Sequence, residues 1–423
     1  MFNSMNQDLH PRVWIINQFA NTPDLPGHTR QYDLGSYLAQ KGCGVTVFAS
    51  DYNLSKRTYQ RLKGWHFWKC EQYGNLKWCW LWVSPYRHNN WLRYLNLISF
   101  CLSLFLFSWL VPRPDLIIAS SPQLPAAWLC MKLAQIRKVQ FWVEVRDLWP
   151  QVLIDLGGKS SDSLVIKVLS WMENQVYQKS AQVIVLSEGS IQYVENRGAK
   201  NVVCLPNGSD LGSISLNSLQ DRDIQWMKKQ FGINPNRFCL IYAGAHGLAN
   251  GLEVIVEAAR ILQEKAPQRF QILLVGDGTE KPQLQQLAIG VENIEFRDPI
   301  PKQKIHSLLR SADGLILTLK NIPLFKYGVS PNKLYDYYAV AKPVIVAVGG
   351  FVNQEVEDHH LGFAVDPENP TQLAQAILQL AATPAQVRQS MGQHARTLAE
   401  NSYSREVIAE KFYQLIQASV SSK

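Results

Sequence analysis

Short apolar runs alternate with longer segments of helical periodicity along most of the chain. In the first half the apolar runs predict six strands, at 13–19, 45–49, 116–120, 141–145, 182–186 and 202–205. Helical segments separate them at about 28–40, 123–136, 163–178 and 188–197. Strands that alternate with helices in this way indicate βαβ units, whose parallel sheets are buried on both faces.

The same alternation occurs again in the second half. It predicts strands at 238–243, 271–275, 293–296, 314–319, 343–347 and 363–365. Helices are predicted at 251–264, 281–288, 302–311, 331–340 and 371–381, with a last amphipathic helix at about 404–418. The expected fold class is therefore α/β, with two doubly wound, Rossmann-like domains facing a cleft. Because such sheets bind ligands beyond the carboxyl ends of their strands, we expect the chemistry in that cleft.

A polar segment, PNGSDLGSISLNSLQ at 206–220, marks the domain boundary. We predict an N-terminal Rossmann-like domain over residues 1–208 and a C-terminal one over 209–400. Residues 401–423 are expected to form a helix that packs back on the N-domain. The length of 423 residues suits two domains of this size.

The formal net charge of +8 is concentrated near the start of the chain. Residues 1–150 hold 16 Lys and Arg against 8 Asp and Glu, and 11 of the 13 Trp; the rest of the chain is balanced. Basic residues interleave with Trp over 51–93, and the uncharged run 95–111 follows. Since basic residues attract anionic headgroups and Trp favours membrane interfaces, we predict a membrane-facing insertion at about 51–111.

Two alternatives accompany this interpretation. The run 95–111 is either a buried core helix or a helix lying partly in a membrane surface, because it is short for a full span and contains Asn and Ser. Cations with aromatics also bind single-stranded nucleic acid, but no nucleic-acid motif is present. The expected partner is an anionic membrane surface, and nucleic acid is not expected as a partner.

The seven cysteines include no CxxC pair and no Cys/His cluster at metal-ligand spacing. We therefore predict neither a disulfide framework nor a zinc site. The N-terminal residues lack the pattern of a signal peptide. Together these features predict a cytoplasmic protein, peripheral at the inner face of the cytoplasmic membrane.

The segment GVSPNKLYDYYAVAKPVIVA, 328–347, carries the strongest site signal. Ser330 is a good N-cap and Pro331 suits the first helical position, so a helix should begin there with free backbone N–H groups, an anion site. Lys333 adds a cation, and Asp336 supplies a carboxylate for a sugar diol near the same face. The alternative is a capped surface helix with an i,i+3 ion pair.

Two glycine turns follow strands of the second half. They are Gly244-Ala245-His246-Gly247 after FCLIYA and Gly276-Asp277-Gly278 after QILLV. Glycine at a strand-to-helix turn lets the backbone approach a ligand closely, although such a turn is commonly structural only. Both turns should share one rim with residues 328–336.

These motifs, taken in order, resemble a known enzyme family. The turn Pro26-Gly27-His28-Thr29-Arg30, then YAGAHG, LLVGDG and SPNKLYDYYAVAKPVIV, look like a family 4 glycosyltransferase of the GT-B fold, over about residues 12–418. EVRDLWP (144–150) with SPNKLYDY most resembles the subgroup similar to L-fucosamine and N-acetylaminosugar transferases of polysaccharide assembly.

The resemblance implies a retaining hexosyl or N-acetylaminosugar transfer from a nucleoside diphosphate donor, usually UDP-linked, to a lipid-linked or polysaccharide acceptor in cell-surface polysaccharide biosynthesis. It implies no cofactor and no bound metal. It also implies that the N-terminal domain, 1–208, binds the acceptor and that the C-terminal domain, 209–400, binds the nucleotide sugar. Asp336 lies where the second motif glutamate of the family contacts the ribose, and Gly328 lies where the first would be. An ungapped match places Ala245 and Asn250 where the family has Arg and Lys.

Site residues follow from the resemblance and the motifs. With the usual Arg and Lys missing, Lys333, the amides near Ser330 and Asn332, and His246, Lys326 or Arg146 would have to neutralise the leaving diphosphate. The predicted catalytic residues are Asp147, Arg146 and Lys333. The donor-binding residues are Gly244, His246, Gly276, Asp277, Gly278, Ser330, Asn332, Lys333 and Asp336. The acceptor-binding residues are Gly27, His28, Thr29 and Arg30.

Two other functions share this plan: a nucleotide-sugar 2-epimerase, which would need acid and base carboxylates, and a protein with a degenerate donor site that only scaffolds an assembly complex. Two sequence patterns imitate metal sites. Asp221-Arg222-Asp223 imitates a DxD motif but should open a helix, and His359-His360 with Glu355 suits a solvated turn.

Overall fold

The computed structural model describes residues 10–25, 27, 29–53, 56–86, 91–121, 123–212, 214 and 221–421. The chain divides into two compact units. The first runs to Leu205 and includes the chain from Ile408 onward, and the second is Pro206–Val407. The change of unit precedes the expected boundary at 208 because Asn207 N and Ser209 Oγ already donate hydrogen bonds to side chains of the second unit.

The first unit contains an eight-stranded sheet with helices around it. Its strands are β1 Arg12–Ile16, β2 Gly44–Ser50, β3 Tyr52–Asn53, β4 Thr58–Tyr59, β5 Trp68–Tyr73, β6 Leu76–Leu81, β7 Leu116–Ser120, β8 Gln140–Val145, β9 Gln182–Val185 and β10 Val202–Cys204. Its helices are α1 Arg30–Gln40, α2 Leu92–Phe107, α3 Leu124–Arg137, α4 Gln151–Asp155, α5 Leu164–Lys179 and α6 Ile191–Glu195. The sheet order is β10-β9-β8-β7-β1-β2-β6-β5, and β3 pairs separately with β4. The six predicted strands are confirmed.

The hairpin of β5 and β6 was not predicted, and it changes two expectations. Cys70 and Cys79 face each other across the antiparallel pair with Cα atoms 4.2 Å apart, and they form a disulfide. No disulfide framework was predicted from the sequence and this one disulfide was missed, because it is the hairpin register that brings the two cysteines together. Trp78 and Trp80 point into the core, which leaves Trp65 and Trp91 as the strongly exposed tryptophans of the basic segment.

Helix α2 buries Phe100 and Leu104 together with Asn96 and Ser103, and it exposes most of its other apolar side chains. Asn96 Nδ2 donates to Ser84 O (2.6 Å) and Ser103 Oγ donates to Trp82 O (2.8 Å), so these two residues anchor the inward face. The outward face carries large exposed apolar side chains: Tyr94, Leu95, Ile98, Leu102, Phe105, Leu106, Trp109 and Leu110. Within the described residues, Leu92–Leu110 is the one helix whose length and composition would allow it to cross a membrane. The alternative of a buried core helix was wrong.

The second unit contains a six-stranded parallel sheet of order β13-β12-β11-β14-β15-β16. Its strands are β11 Phe238–Ala243, β12 Phe270–Val275, β13 Ile294–Arg297, β14 Gly314–Thr318, β15 Val344–Ala347 and β16 Gly362–Ala364. Its helices are α7 Asp221–Gln230, α8 Glu253–Lys265, α9 Lys281–Leu287, α10 Lys302–Arg310, α11 Pro323–Lys326, α12 Asn332–Ala339, α13 Gly350–Asp358, α14 Pro370–Ala382 and α15 Ala385–Leu398. Both faces of the sheet are covered by apolar clusters, as the continuous apolar strands predict.

The last helix, α16 Arg405–Ser421, leaves the second unit and joins the first. Ile408, Phe412 and Ile416 are buried in the cluster that contains Val13 and Trp142. Burying three such side chains is worth several kcal/mol, at roughly 1.5–3 kcal/mol each. The C-terminal helix is thus part of the core of the first unit.

Candidate active site

Two glycine turns of the second unit pack directly against each other at adjacent strand ends. They follow β11 and β12, which are neighbours in the sheet. A Cβ atom on Gly276 would lie 1.9 Å from Gly244 O, and one on Gly278 would lie 2.3 Å from His246 O. Only glycine fits at either position. The two turns therefore form one rigid rim at the carboxyl edge of the sheet, where such sheets bind ligands.

Helix α12 begins beside this rim, one residue later than expected. Its N-cap is Pro331 rather than Ser330, because Pro331 is still extended, and the first helical residue is Asn332. The Ser330 hydroxyl instead accepts a hydrogen bond from Asn207 N (2.9 Å) and bonds to Tyr335 OH (2.7 Å). Ser330 thus links the start of the second unit to α12 through hydrogen bonds. Asn332 is exposed at the N-terminus of α12.

Lys333 reaches from α12 across the first glycine turn. Its Nζ donates to Asn250 Oδ1 (2.6 Å) and to Tyr242 OH (2.7 Å). A Cβ on Gly244 would lie 2.6 Å from Lys333 Cδ, so the turn and the lysine stem are in contact. Burial lowers the pKa of Lys333 to about 8. Asn250 and Tyr242 were not among the predicted site residues, although Asn250 stands where the resembled family has a lysine.

Asp336 lies one turn further along the same helix and is partly exposed. Its Oδ1 accepts a hydrogen bond from Ser209 Oγ (2.6 Å) and lies 3.6 Å from His306 Nε2. Among the described residues, Asp336 Oδ2 has no hydrogen-bond donor. The carboxylate is thus held in position through one oxygen while the other can accept a hydrogen bond from a ligand.

His246 occupies a different place from the one predicted. Its side chain is fully buried, and neither Nδ1 nor Nε2 has a hydrogen-bond partner in the described part of the chain. Burial, and then the nearby Lys281 and Lys333, lower the pKa of His246 to about 4. The imidazole is therefore neutral at pH 7 and does not reach a ligand at the surface. The ring packs beneath the turn, which differs from the exposed position expected of a donor-binding side chain.

The backbone of His246 links the two glycine turns. His246 N donates to Asp277 O (2.8 Å), which ties the two glycine turns together. Lys281, which sequence analysis did not single out, braces the second turn: its Nζ donates to Gly276 O (3.0 Å) and to Asp298 Oδ1 (2.8 Å). Asp277 is exposed on this rim.

Arg30, at the start of α1 in the first unit, is engaged by the protein itself. Its Nε donates to Glu144 Oε1 (2.6 Å) and its Nη2 donates to Leu205 O (2.8 Å). Although burial opposes it, the charges of Arg30 and Arg146 hold the pKa of Glu144 below its usual range. Ser120 Oγ also donates to Glu144 (2.6 Å). Arg30 is thus a structural ion-pair partner, and Glu144 is a buried anchor that the sequence did not reveal.

The other predicted residues of the first unit lie in the loops around Arg30 and Glu144. Arg146 follows β8 and is half-buried, and burial lowers its pKa. The Asp147 side chain is exposed, with its backbone O accepting from Trp149 N (3.0 Å). Thr29 Oγ1 donates to Asp33 Oδ2 (3.1 Å), and Gly27 lies against Asn21. His28 lies outside the described residues.

The two patterns that imitate metal sites lie in or next to helices of the second unit. Asp221 opens α7 as predicted. Glu355 is not in a solvated turn: it is buried in α13, where Tyr338 OH (3.0 Å) and Tyr403 OH donate to it. Across the described residues, no group of three or more His, Cys, Asp or Glu could hold a metal ion.

Comparison with protein families matches both units in turn. Residues 27–208 match the family described as "Glycosyl transferase 4-like domain", and residues 237–383 match "Glycosyl transferases group 1". The chain is a GT-B glycosyltransferase. Its two doubly wound units and the carboxyl-edge rim of the second are those of this enzyme class.

Individual relatives agree with this assignment. The glycosyltransferase is 26% identical over 408 residues to a protein of Escherichia coli (strain K12) assigned to colanic acid biosynthesis as the glycosyl transferase WcaI, covering 92% of this chain and 96% of that protein. Among solved structures it is similar to sucrose-phosphate synthase from Thermosynechococcus elongatus (TM-score 0.74, 17% identity, 98% and 100% of the chains). Anabaena Alr3699/HepE in complex with UDP and glucose is also similar (TM-score 0.69, 15% identity, 97% and 100%).

Proposed function

We propose that this glycosyltransferase transfers a sugar from a UDP-linked donor with retention of anomeric configuration. The observation that carries the proposal is the arrangement of Lys333 and Asp336 on α12 beside the paired glycine turns. A lysine ammonium and backbone amides suit a diphosphate, and a carboxylate suits the diol of a ribose. The UDP bound by the similar Anabaena protein supports the choice of nucleotide.

The proposed reaction needs charge stabilisation more than a protein nucleophile. The acceptor hydroxyl attacks the anomeric carbon on the face that the diphosphate leaves, the bond from that carbon to the phosphate oxygen breaks, and a phosphate oxygen takes the hydroxyl proton. Negative charge grows on the leaving UDP as the sugar becomes oxocarbenium-like. Lys333 and the amides near Asn332 are proposed to stabilise that charge, and no bound metal is required.

We propose an acceptor of the lipid-linked or polysaccharide type, in cell-surface polysaccharide biosynthesis. The similarity to the colanic acid biosynthesis transferase supports this, and so does the outward apolar face of α2. The enzyme would then be cytoplasmic and peripheral on an anionic membrane, with the basic residues of the first unit facing the lipid. Within this class we favour the L-fucosamine and N-acetylaminosugar subgroup. Asp147 and Arg146, on the loop after β8, are proposed to contact the acceptor or the donor sugar.

The comparisons favour a transferase over a 2-epimerase, since both matched families are glycosyltransferases. The scaffolding alternative rests on the missing family arginine and lysine. The contact of Lys333 with Asn250 argues against it, because the lysine brings a cation to the position that has lost one.

The experiment is a transfer assay on a panel of UDP-sugars with a polyprenyl-diphosphate acceptor, read by mass spectrometry in the presence of EDTA. One donor should give a product heavier by one sugar residue, with EDTA causing no loss. Release of a free epimer would support the 2-epimerase alternative. If no UDP-sugar is consumed and none shifts the melting temperature, the scaffolding alternative is correct and the proposal fails.

A further inference from the structure

The first unit contains a large apolar cavity at the carboxyl ends of β1, β7 and β8. Its volume is 680 Å³, within the usual range for small-molecule sites. These three strands are neighbours in the sheet. The walls come from α2 and α5 and from the starts of α3 and α4. The cavity thus lies where an open α/β sheet binds its ligand, and none of the residues considered so far in the donor site contributes to it.

The walls are apolar, but the floor holds two polar groups that lack partners. Gln18 is 1% exposed and Gln123 is 6% exposed, and both line the cavity. Gln18 Nε2 donates to Asn96 Oδ1 (2.6 Å), which fixes that side chain. Within the described residues, neither Gln18 Oε1 nor Gln123 Oε1 accepts a hydrogen bond. Unpaired buried amide oxygens cost free energy, so the floor is suited to a ligand that carries hydroxyl or amide donors.

The mouth of the cavity combines charge with an exposed apolar surface. Arg93 lines the cavity and is exposed. Leu164 and Val168 of α5 line it from the other side and are also exposed, and the apolar face of α2 continues outward from Tyr94. A ligand that satisfies all three regions has a hydroxyl-bearing end, an anionic group and a long hydrocarbon chain.

We propose that this cavity binds the lipid-linked acceptor itself, with the isoprenoid chain between α2 and α5, the phosphate at Arg93 and the first sugar on the amide floor. The inference rests on the proposed function and deepens it, because it turns a general membrane contact into a defined acceptor site.

The test measures binding of farnesyl diphosphate, a short water-soluble prenyl diphosphate, by titration calorimetry without detergent. Val168→Trp should fill the cavity, and Leu164→Asp should repel the chain and the phosphate at its mouth. The controls are Val387→Trp and Ile289→Asp, which change residues of matching type or exposure in the second unit. We expect each cavity variant to weaken binding about tenfold or more and each control to change it by less than about twofold. Inorganic diphosphate should bind far more weakly than the prenyl compound.

Three results would overturn the inference. The first is that inorganic diphosphate binds as tightly as farnesyl diphosphate, and the second is that both cavity variants bind farnesyl diphosphate with unchanged affinity. The third is that the cavity variants lose liposome binding while their affinity for farnesyl diphosphate stays intact. The last result would make the cavity part of a membrane-contact surface. UDP affinity and sugar transfer to a prenyl-linked and a soluble acceptor, measured on the same variants, separate the two proposals. Transfer that is equal on both acceptors and insensitive to Val168→Trp removes the acceptor site alone, whereas absence of transfer with intact farnesyl diphosphate binding removes the proposed function alone.

Discussion

At the residue scale, the proposed donor site depends on Lys333. It extends over Gly244 to Asn250, so a lysine on the helix supplies the cation that the loop lacks. An ammonium in partly buried surroundings interacts strongly with a diphosphate, because little water screens the pair.

Lys333→Met should weaken UDP binding by about tenfold or more, since a charge-assisted contact to phosphate is lost. The pKa of about 8 adds a pH signature. In the wild type, UDP affinity should fall as the pH rises through and above that value, because the ammonium loses its proton. The variant should bind UDP with little change over the same range. Calorimetric titrations at several pH values measure this, and a wild-type affinity that stays flat up to about pH 10 would contradict the assignment.

Asp336→Ala should weaken UDP binding by about tenfold, through loss of hydrogen bonds to the ribose. Ser209→Ala is the matched control: it removes the internal hydrogen bond to Asp336 Oδ1 but leaves the carboxylate. We expect the control to alter UDP affinity much less than the alanine at 336. Equal affinities of Asp336→Ala and wild type would remove the ribose assignment.

His246 should make the second unit sensitive to acid. Its pKa is about 4 in the folded protein, against an ordinary value of 6.5, so the unfolded chain takes up a proton first as the pH falls. The contribution of neutral His246 to the free energy of unfolding is fully present above about pH 6.5. It is lost as the pH falls towards 4, and the loss is roughly 3 kcal/mol for a pKa shift of this size. His246→Phe should reduce that decline in urea unfolding followed at different pH values. A decline identical to that of the wild type would show that other groups cause it.

At the element scale, the outward face of α2 is the feature most readily tested. Leu102→Glu with Leu106→Glu should abolish binding to anionic liposomes, because both side chains are exposed on that face and the new charges repel the lipid. The control is Ile289→Glu on the second unit, which is at least as exposed. Flotation at low and high salt gives the measurement, and binding by the wild type should weaken with salt. Flotation of the double variant like the wild type would exclude α2 as the contact.

The sequence predicts elements best where a strand is buried on both faces. All twelve strands expected from apolar runs are found, because parallel strands covered by helices are continuously apolar. The hairpin of β5 and β6 escapes this rule, since each strand contains a lysine, Lys69 or Lys77, and β5 is the edge strand of the sheet. The Cys70–Cys79 disulfide was missed for the same reason, as it depends on the hairpin register.

The candidate donor site was predicted only in part, because its motifs are local in sequence while the contacts between them are not. Its motifs are local, so Lys333, Asp336 and the glycine turns could be identified from neighbouring residues. Their partners are distant in sequence: Lys333 meets Asn250 across 83 residues, and Asp336 meets Ser209 across 127. Burial is equally non-local, which is why the sequence did not reveal that His246 lies beneath its turn or that Glu144 holds Arg30.

At the scale of the whole molecule, the charge and the chemistry belong to different units. The first unit contains the cationic excess, the exposed face of α2 and the apolar cavity. The second contains the glycine turns, Lys333 and Asp336, and its residues 206–407 hold 19 Lys and Arg against 20 Asp and Glu. This division suits an enzyme that takes a lipid-linked acceptor from a membrane on one unit and a soluble nucleotide sugar on the other.

The most direct test of this account follows one reaction by proton NMR, with the UDP-sugar selected from the panel and a prenyl-diphosphate acceptor. We predict that the anomeric signal of the donor disappears as a new glycosidic signal appears, with the coupling constant of the same anomeric configuration and with UDP released in equal amount. A product of inverted configuration would contradict retention. Consumption of the donor to a free sugar or epimer, with the acceptor unchanged, would contradict the transfer itself.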